Sequence, residues 1–128
     1  MYVPTLVLCI DMDKGLKKLP AAFFRLTTGR EPVREWLLHD LSPEDRKIVG
    51  DDIRDLEFAW PVGLPLCRPL GNGLWEVRST LTSGKIGRVI FCVHDGKAVL
   101  LHGFIKKTQK TPKPDLDLAT RRQRELER

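Results

Sequence analysis

The chain offers little that would staple it, metallate it or seat it in a membrane. Its three cysteines, Cys9, Cys67 and Cys92, are odd in number and none belongs to a CxxC pair. A disulfide framework and a zinc site are therefore both disfavoured. No apolar run approaches the roughly 20 residues that a membrane helix needs. Val3–Ile10 (VPTLVLCI) is apolar but short, with no basic flank before it and no small-residue cleavage site after it, so a signal peptide is not expected. No two histidines stand at metal-ligand spacing, no glycine loop resembles a nucleotide cradle, and no Ser/His/Asp set is visible. Nothing here calls for a metal, a small-molecule cofactor or a membrane.

What is present suits one folded domain. The length is 128 residues, with 41% hydrophobic and 30% charged residues, enough to bury a core without cross-links. The free cysteines fit a reducing cytosol, so a cytoplasmic location is expected. Charge is unevenly placed. Residues 1–77 carry 10 Lys and Arg against 12 Asp and Glu, net −2, whereas residues 78–128 carry 12 against 5, net +7. Such asymmetry points to a polyanionic or acidic partner for the second half, or to a solvated basic surface. Residues 1–20 read as an extension ahead of a single domain at 21–128. Met12 is in frame, so Met1–Asp11 is either a short pairing strand or a segment ahead of the true start.

Ala21–Thr27 has strand character and Gly29 breaks it. Pro32 suits a first helical turn, and Val33, Trp36, Leu37 and Leu41 follow at helical spacing. Ser42-Pro43-Glu44-Asp45 starts a second helix: serine caps, proline takes the first position, and the acids suit the positive end of the dipole. Ile48, Val49, Ile53, Leu56 and Trp60 form its apolar face, and Pro61 ends it. Pro61–Pro69 reads as a connector. Three strands follow at Leu74–Leu81, Arg88–His94 and Lys97–Ile105, the last two joined by an Asp95-Gly96 hairpin turn. Asp115 then caps a terminal helix running to Glu127. The order predicts an α+β fold: an N-terminal strand and a helical hairpin packed on an antiparallel sheet, with a C-terminal helix and the sheet's other face open to a ligand.

A two-residue Asp95-Gly96 turn would set His94 opposite Lys97 and Arg88 opposite Gly103. One face then carries Arg88, Ile90, Cys92, Val99, Leu101 and Ile105, with Lys107 beyond the strand end. The other carries Val89, Phe91, Leu100, His102, Phe104 and Lys106 as the helix-covered core. Arg88 and Lys107 would converge beside Gly103, leaving a gap for a phosphate; alternatively Arg88 pairs with a carboxylate such as Glu76. Arg78 on the adjacent strand is either a third phosphate contact or a rim salt bridge. Lys106, Lys107 and Lys110 form a catalytic edge or a solubilising one. His102 is expected as a satisfied buried ring and His94 as exposed, and His39 lies in the first helix away from the basic half. Trp36 and Trp60 belong to the core, and Trp75 either packs or stacks on a base.

GLWEVRS, the RVIFCVHDGK hairpin, LLHGFIKKTQKTP and the closing DLATRR together resemble the HigB-like branch of the RelE/ParE superfamily, toxins of type II toxin–antitoxin modules, many of them phage-associated. The resemblance runs from about Ala21 to Arg124. It implies a RelE-like fold and an mRNA endonuclease working in the ribosomal A site without metal or cofactor. In that chemistry the 2′-OH attacks the adjacent phosphate and fixed cations stabilise the added negative charge. It further implies Arg88, Lys107, Arg78 and Lys106 as catalytic residues, Lys110, Lys113 and Gln109 as RNA contacts, and a helix-turn-helix antitoxin as partner. ParE relatives instead inhibit DNA gyrase, and a phage-derived binding protein without toxicity is a third possibility. Some relatives place a tyrosine or histidine near the basic end of the last strand. Here that region offers Phe104, Gln109 and lysines, and the only tyrosine is Tyr2.

Overall fold

The computed structural model describes residues 17–106 and 110–127. Met1–Asp11, read either as a pairing strand or as a segment ahead of the true start, lies outside the described residues, as do Met12, Lys107 and Gln109. Eight elements follow in order: β1 (Ala21–Phe23), α1 (Pro32–His39), α2 (Pro43–Ala59), β2 (Cys67–Gly71), β3 (Leu74–Thr80), β4 (Ile86–His94), β5 (Lys97–Lys106) and α3 (Lys113–Leu126). The strands form one sheet in the order β1-β5-β4-β3-β2, antiparallel throughout β2 to β5, with β1 added in parallel at the edge of β5. This is the expected α+β, RelE-like plan, with a mixed sheet.

The helix signals act locally as their chemistry dictates. Pro32 opens α1, and Val33 and Leu37 are its buried residues. The Ser42 hydroxyl accepts from the Asp45 backbone N–H at 3.1 Å, closing the first turn of α2. Arg46 reaches back and donates to the carbonyls of Leu37 and Leu38, which the end of α1 leaves without helical partners. Both helices cover one sheet face, where Val33, Leu37, Val49, Ile53 and Leu56 pack on Val77, Val89, Phe91 and Leu100. Trp60 meets Trp75 edge-on at 4.9 Å, so Trp75 packs on this face. At the end of α2 the buried Glu57 carboxylate accepts from the Ala21 N–H at 2.8 Å and pairs with Lys17. This fastens the short edge strand, and Leu19 packs into the same core.

Four features differ from the sequence reading. The proline-rich connector contains β2, an outer strand whose Pro69 lies opposite Trp75; an edge is where a residue lacking an N–H is tolerated. The second sheet face is not simply open, because α3 lies on it and packs Leu116, Ala119 and Leu126 against Leu74, Ile90, Cys92, Val99 and Leu101. That helix begins at Lys113 with Pro112 as its N-cap, so Asp115 is in its first turn and caps nothing. The Asp95-Gly96 turn forms as expected, with φ of 51° and 72°, and pairs His94 with Lys97. Between Ile90 and Phe91, however, the register of β4 on β5 shifts: Phe91 faces Leu100 and Ile90 faces His102, so Leu101 is an extra residue. A one-residue bulge inverts every side chain beyond it. His102, Phe104 and Lys106 thereby move to the face of Arg88, and Gly103 moves to the helix face.

Candidate anion-binding face

From the first turn of α3 outward, the second face is built from three rungs of paired residues. The first runs Arg68, Glu76, Ile90, His102; the second Arg78, Arg88, Phe104; the third Thr80, Ile86, Lys106. Residues directly opposite each other share a face, and successive rungs on a face lie about 7 Å apart. Regular antiparallel pairing thus sets arginines on neighbouring strands within Coulombic reach.

Glu76 is the hub. It is fully buried, and its carboxylate meets Arg88 Nη1 at 3.2 Å and Arg68 Nη2 at 3.0 Å. The buried Thr111 hydroxyl donates to Glu76 Oε2 at 2.9 Å, and Arg68 donates to Thr111 Oγ1 at 3.3 Å. Arg88 is 1% exposed. Burial holds its guanidinium below the ordinary arginine value; Glu76 opposes that shift, and Arg78 and Arg68 add to it. A buried arginine is tolerable where a carboxylate neutralises it, and stripping one partner would leave a bare charge in low dielectric. The cluster therefore counts three guanidinium groups against one carboxylate. Arg78 is partly exposed, and among the described residues its side chain has no hydrogen-bonding or ionic partner.

The expected site residues fall into separate places. Arg88 does not open onto a gap beside Gly103. It faces Phe104 and is closed in by Glu76, the pairing that was the alternative to a phosphate contact. No gap lies between Arg88 and Gly103, because Gly103 is on the opposite face, where an added Cβ would clash with the Trp36 indole. Arg78 shares the rung of Arg88 and is the accessible member of the pair. Lys106 lies on the third rung, and its ammonium donates to the Lys110 carbonyl at 2.6 Å, tying the two ends of the basic loop. Lys110 is exposed and lines a groove of about 430 Å³ with Arg68, Pro69, Leu70, Thr111 and Leu116. Lys113 stands on α3 and pairs with Asp117 at 2.9 Å. Convergence of Arg88 with Lys107, and a role for Gln109, concern positions outside the described residues.

His102 has the satisfied ring expected of it, on the face opposite to the one expected. Its Nε2 lies 2.6 Å from Asp115 Oδ1, and the ring stacks on Phe104 at 5.4 Å. This pair binds the first turn of α3 to β5. Glu76 is the residue that sequence reasoning placed as an alternative and not as a centre. The signal for it was a carboxylate flanked by apolar residues and an arginine within one strand, LWEVRS. The bulge falls at the end of Ala98–Leu101, an apolar run with no alternation to mark it. Among the described residues no group of His, Cys, Asp and Glu could hold a metal ion, and no helix is long and apolar enough to cross a membrane. No curated protein matches the chain. A model of the family described as Phage derived protein Gp49-like (DUF891) matches residues 36–124, from α1 through both sheet faces to α3, and the chain belongs to that family.

Proposed function

We propose that this protein is the toxin of a type II toxin–antitoxin module, and that it acts in the cytoplasm on messenger RNA held in the ribosomal A site. The Gp49-like family is often classed with the RelE/ParE-like toxins. The observation that carries the reading to RNA is the imbalance on the second face: Arg68 and Arg88 pair with one buried glutamate, and Arg78 beside them stands partly exposed with no counter-ion among the described residues. Guanidinium matches phosphate oxygens in a bidentate fork, and a stiff sheet holds it in place.

The chemistry needs no metal. The ribose 2′-oxygen forms a bond to phosphorus, the bond to the 5′-oxygen breaks, and a proton passes from the attacking hydroxyl to a base while another reaches the leaving oxygen. Negative charge grows on the phosphoryl oxygens, where a fixed cation stabilises it. Arg78 takes the phosphate contact first ascribed to Arg88. Arg88 works from beneath as a charge paired to Glu76. Lys106, Lys110 and Lys113 extend the cationic track, and a lysine at its edge supplies the proton transfer. A helix-turn-helix antitoxin encoded beside this chain would cover the same face or dock on the helices.

The test is induction without an antitoxin, paired with purified protein added to translating ribosomes and, separately, to DNA gyrase. Cut mRNA and arrested growth, both lost in Arg78→Ala, are the expected result. Arrest with intact mRNA and blocked supercoiling would replace this reading with the gyrase one. No growth effect at all would make the protein a binding module.

A further inference from the structure

On the far side of the arginine rungs lies a second groove, of about 540 Å³, bounded by Leu64, Pro65, Arg78, Thr80 and Ile86. Its size falls within the range of small-ligand sites, about 300–1,000 Å³. Leu64 is 62% exposed and belongs to no core cluster. Pro65 is exposed beside it and Ile86 partly so, which makes an apolar wall on an otherwise charged face. Arg78 and the exposed Thr80 hydroxyl stand on the same strand, two residues apart, at the edge of that wall.

We infer that this groove is a nucleotide subsite for single-stranded RNA: a base lies against Leu64, Pro65 and Ile86, its phosphate meets Arg78, and its ribose hydroxyl meets Thr80. Charge complementarity selects this occupant. An apolar side chain from a protein partner would leave Arg78 unmatched, and an acidic side chain would leave the Leu64 wall bare. A nucleotide presents a flat apolar face and an anion together. The Arg68–Lys110 groove on the near side pairs cations with Pro69, Leu70 and Leu116 in the same way. Two such grooves flanking one arginine cluster suit a polymer that crosses the face. The inference rests on the RNA reading above and adds where a base sits.

Fluorescence anisotropy of the full chain with a labelled 12-nucleotide single-stranded RNA, with and without abasic positions, tests it. Leu64→Ser should weaken binding of the intact strand about fivefold, about 1 kcal/mol, and leave the abasic strand unaffected. Leu64→Trp should tighten the intact strand. The salt dependence should stay as in the parent for both, because no charge changes. Equal affinity of both variants and parent, beside a clear loss in Arg78→Ala, overturns the subsite and keeps the RNA reading. A loss in Leu64→Ser that is the same for abasic and intact strands also overturns it. Absence of RNA binding by the parent chain overturns the subsite together with the RNA reading.

Discussion

The two faces of the sheet are made by the same strands, residue by alternate residue, and they follow opposite rules. On the face under α1 and α2, Val77, Val89, Phe91 and Leu100 meet apolar helix residues, and even the absence of a side chain at Gly103 is filled by Trp36. On the other face α3 covers the upper rungs with one fully buried residue, Ala119, and the lower rungs carry four of the chain's cations around Glu76. The first face supplies stability through area removed from water. The second retains charge at a cost that only its ion pairing offsets. A helix-covered face needs no function to explain it. A buried arginine and carboxylate with two further arginines beside them are expensive for a fold to keep, and anion binding gives a reason for it.

The largest expected effect breaks the charged rung from its centre. Glu76→Ala removes the carboxylate that Arg88 and Arg68 pair with and that the Thr111 hydroxyl donates to. It should cost about 3–5 kcal/mol in denaturant unfolding, the range for removing one partner of a buried pair. Glu76→Met with Arg88→Met should cost clearly less than Glu76→Ala alone. If the double variant is the less stable one, the rung contributes net stability and the contrast between the faces is lost. The same logic makes Arg88→Ala a poor probe of activity, since it takes one cationic partner from the buried Glu76 and confounds folding with function.

Next in size is the test of the apolar face. Gly103→Ala drives a methyl into the Trp36 ring, so the indole must shift to admit it. Overpacking of this kind costs about 1–3 kcal/mol. Thermal unfolding should show the loss, while the folded fraction binds RNA as the parent does. A variant of unchanged stability would mean that Trp36 is mobile and that the tight packing ascribed to this face is wrong.

Arg78→Ala reverses the pattern. Stability should move by less than about 0.5 kcal/mol, the usual bound for a surface change without partners. RNA affinity should fall about tenfold and the slope of log affinity against log salt should shrink by about one unit, as one phosphate contact is removed. Retained affinity with an unchanged slope would leave the second face with no ligand role for its accessible arginine.

The elements themselves were largely legible in the chain. Ser42-Pro43-Glu44-Asp45 marks a helix start by local hydrogen bonding, and Asp95-Gly96 marks a turn by the positive φ it requires. Such signals need nothing beyond their neighbours. The site was less legible because it depends on register. The extra residue at Leu101 moved His102, Phe104 and Lys106 across the sheet and exchanged the expected partner of Arg88 from Gly103 to Phe104. The strand β2, hidden in a proline-rich stretch, brought Arg68 to Glu76 from eight residues away. Both are tertiary facts: a bulge and an edge pairing leave at most a broken alternation in the sequence. The sequence located the basic half correctly, but which of its arginines reaches solvent was set by pairing.

The smallest expected effect concerns how each face opens. Cys67 lies in the core under the two helices and Cys92 in the core under α3. Burial pushes the Cys67 thiol up to about 12 with a further rise from Asp52, and the Cys92 thiol up to about 11 with a further rise from Glu127. Both hold their protons in the folded state near neutrality, so a thiol reagent must wait for an opening that exposes a thiolate. In the unfolded chain they ionise near 9.0, so the stability tied to the protonated thiols is intact below that pH and is lost as pH rises toward the folded values. α2 buries Val49, Ile53, Leu56 and Glu57, whereas α3 buries Ala119 alone. Lifting α3 should therefore cost less than breaching the other face. Peptide mapping after slow alkylation under native conditions should show Cys92 modified about threefold faster than Cys67, reflecting that difference in local opening. Equal rates would mean that both thiols wait for global unfolding and that α3 is as firmly held as the helical pair. A faster Cys67 would invert the comparison, making the apolar face the weaker one.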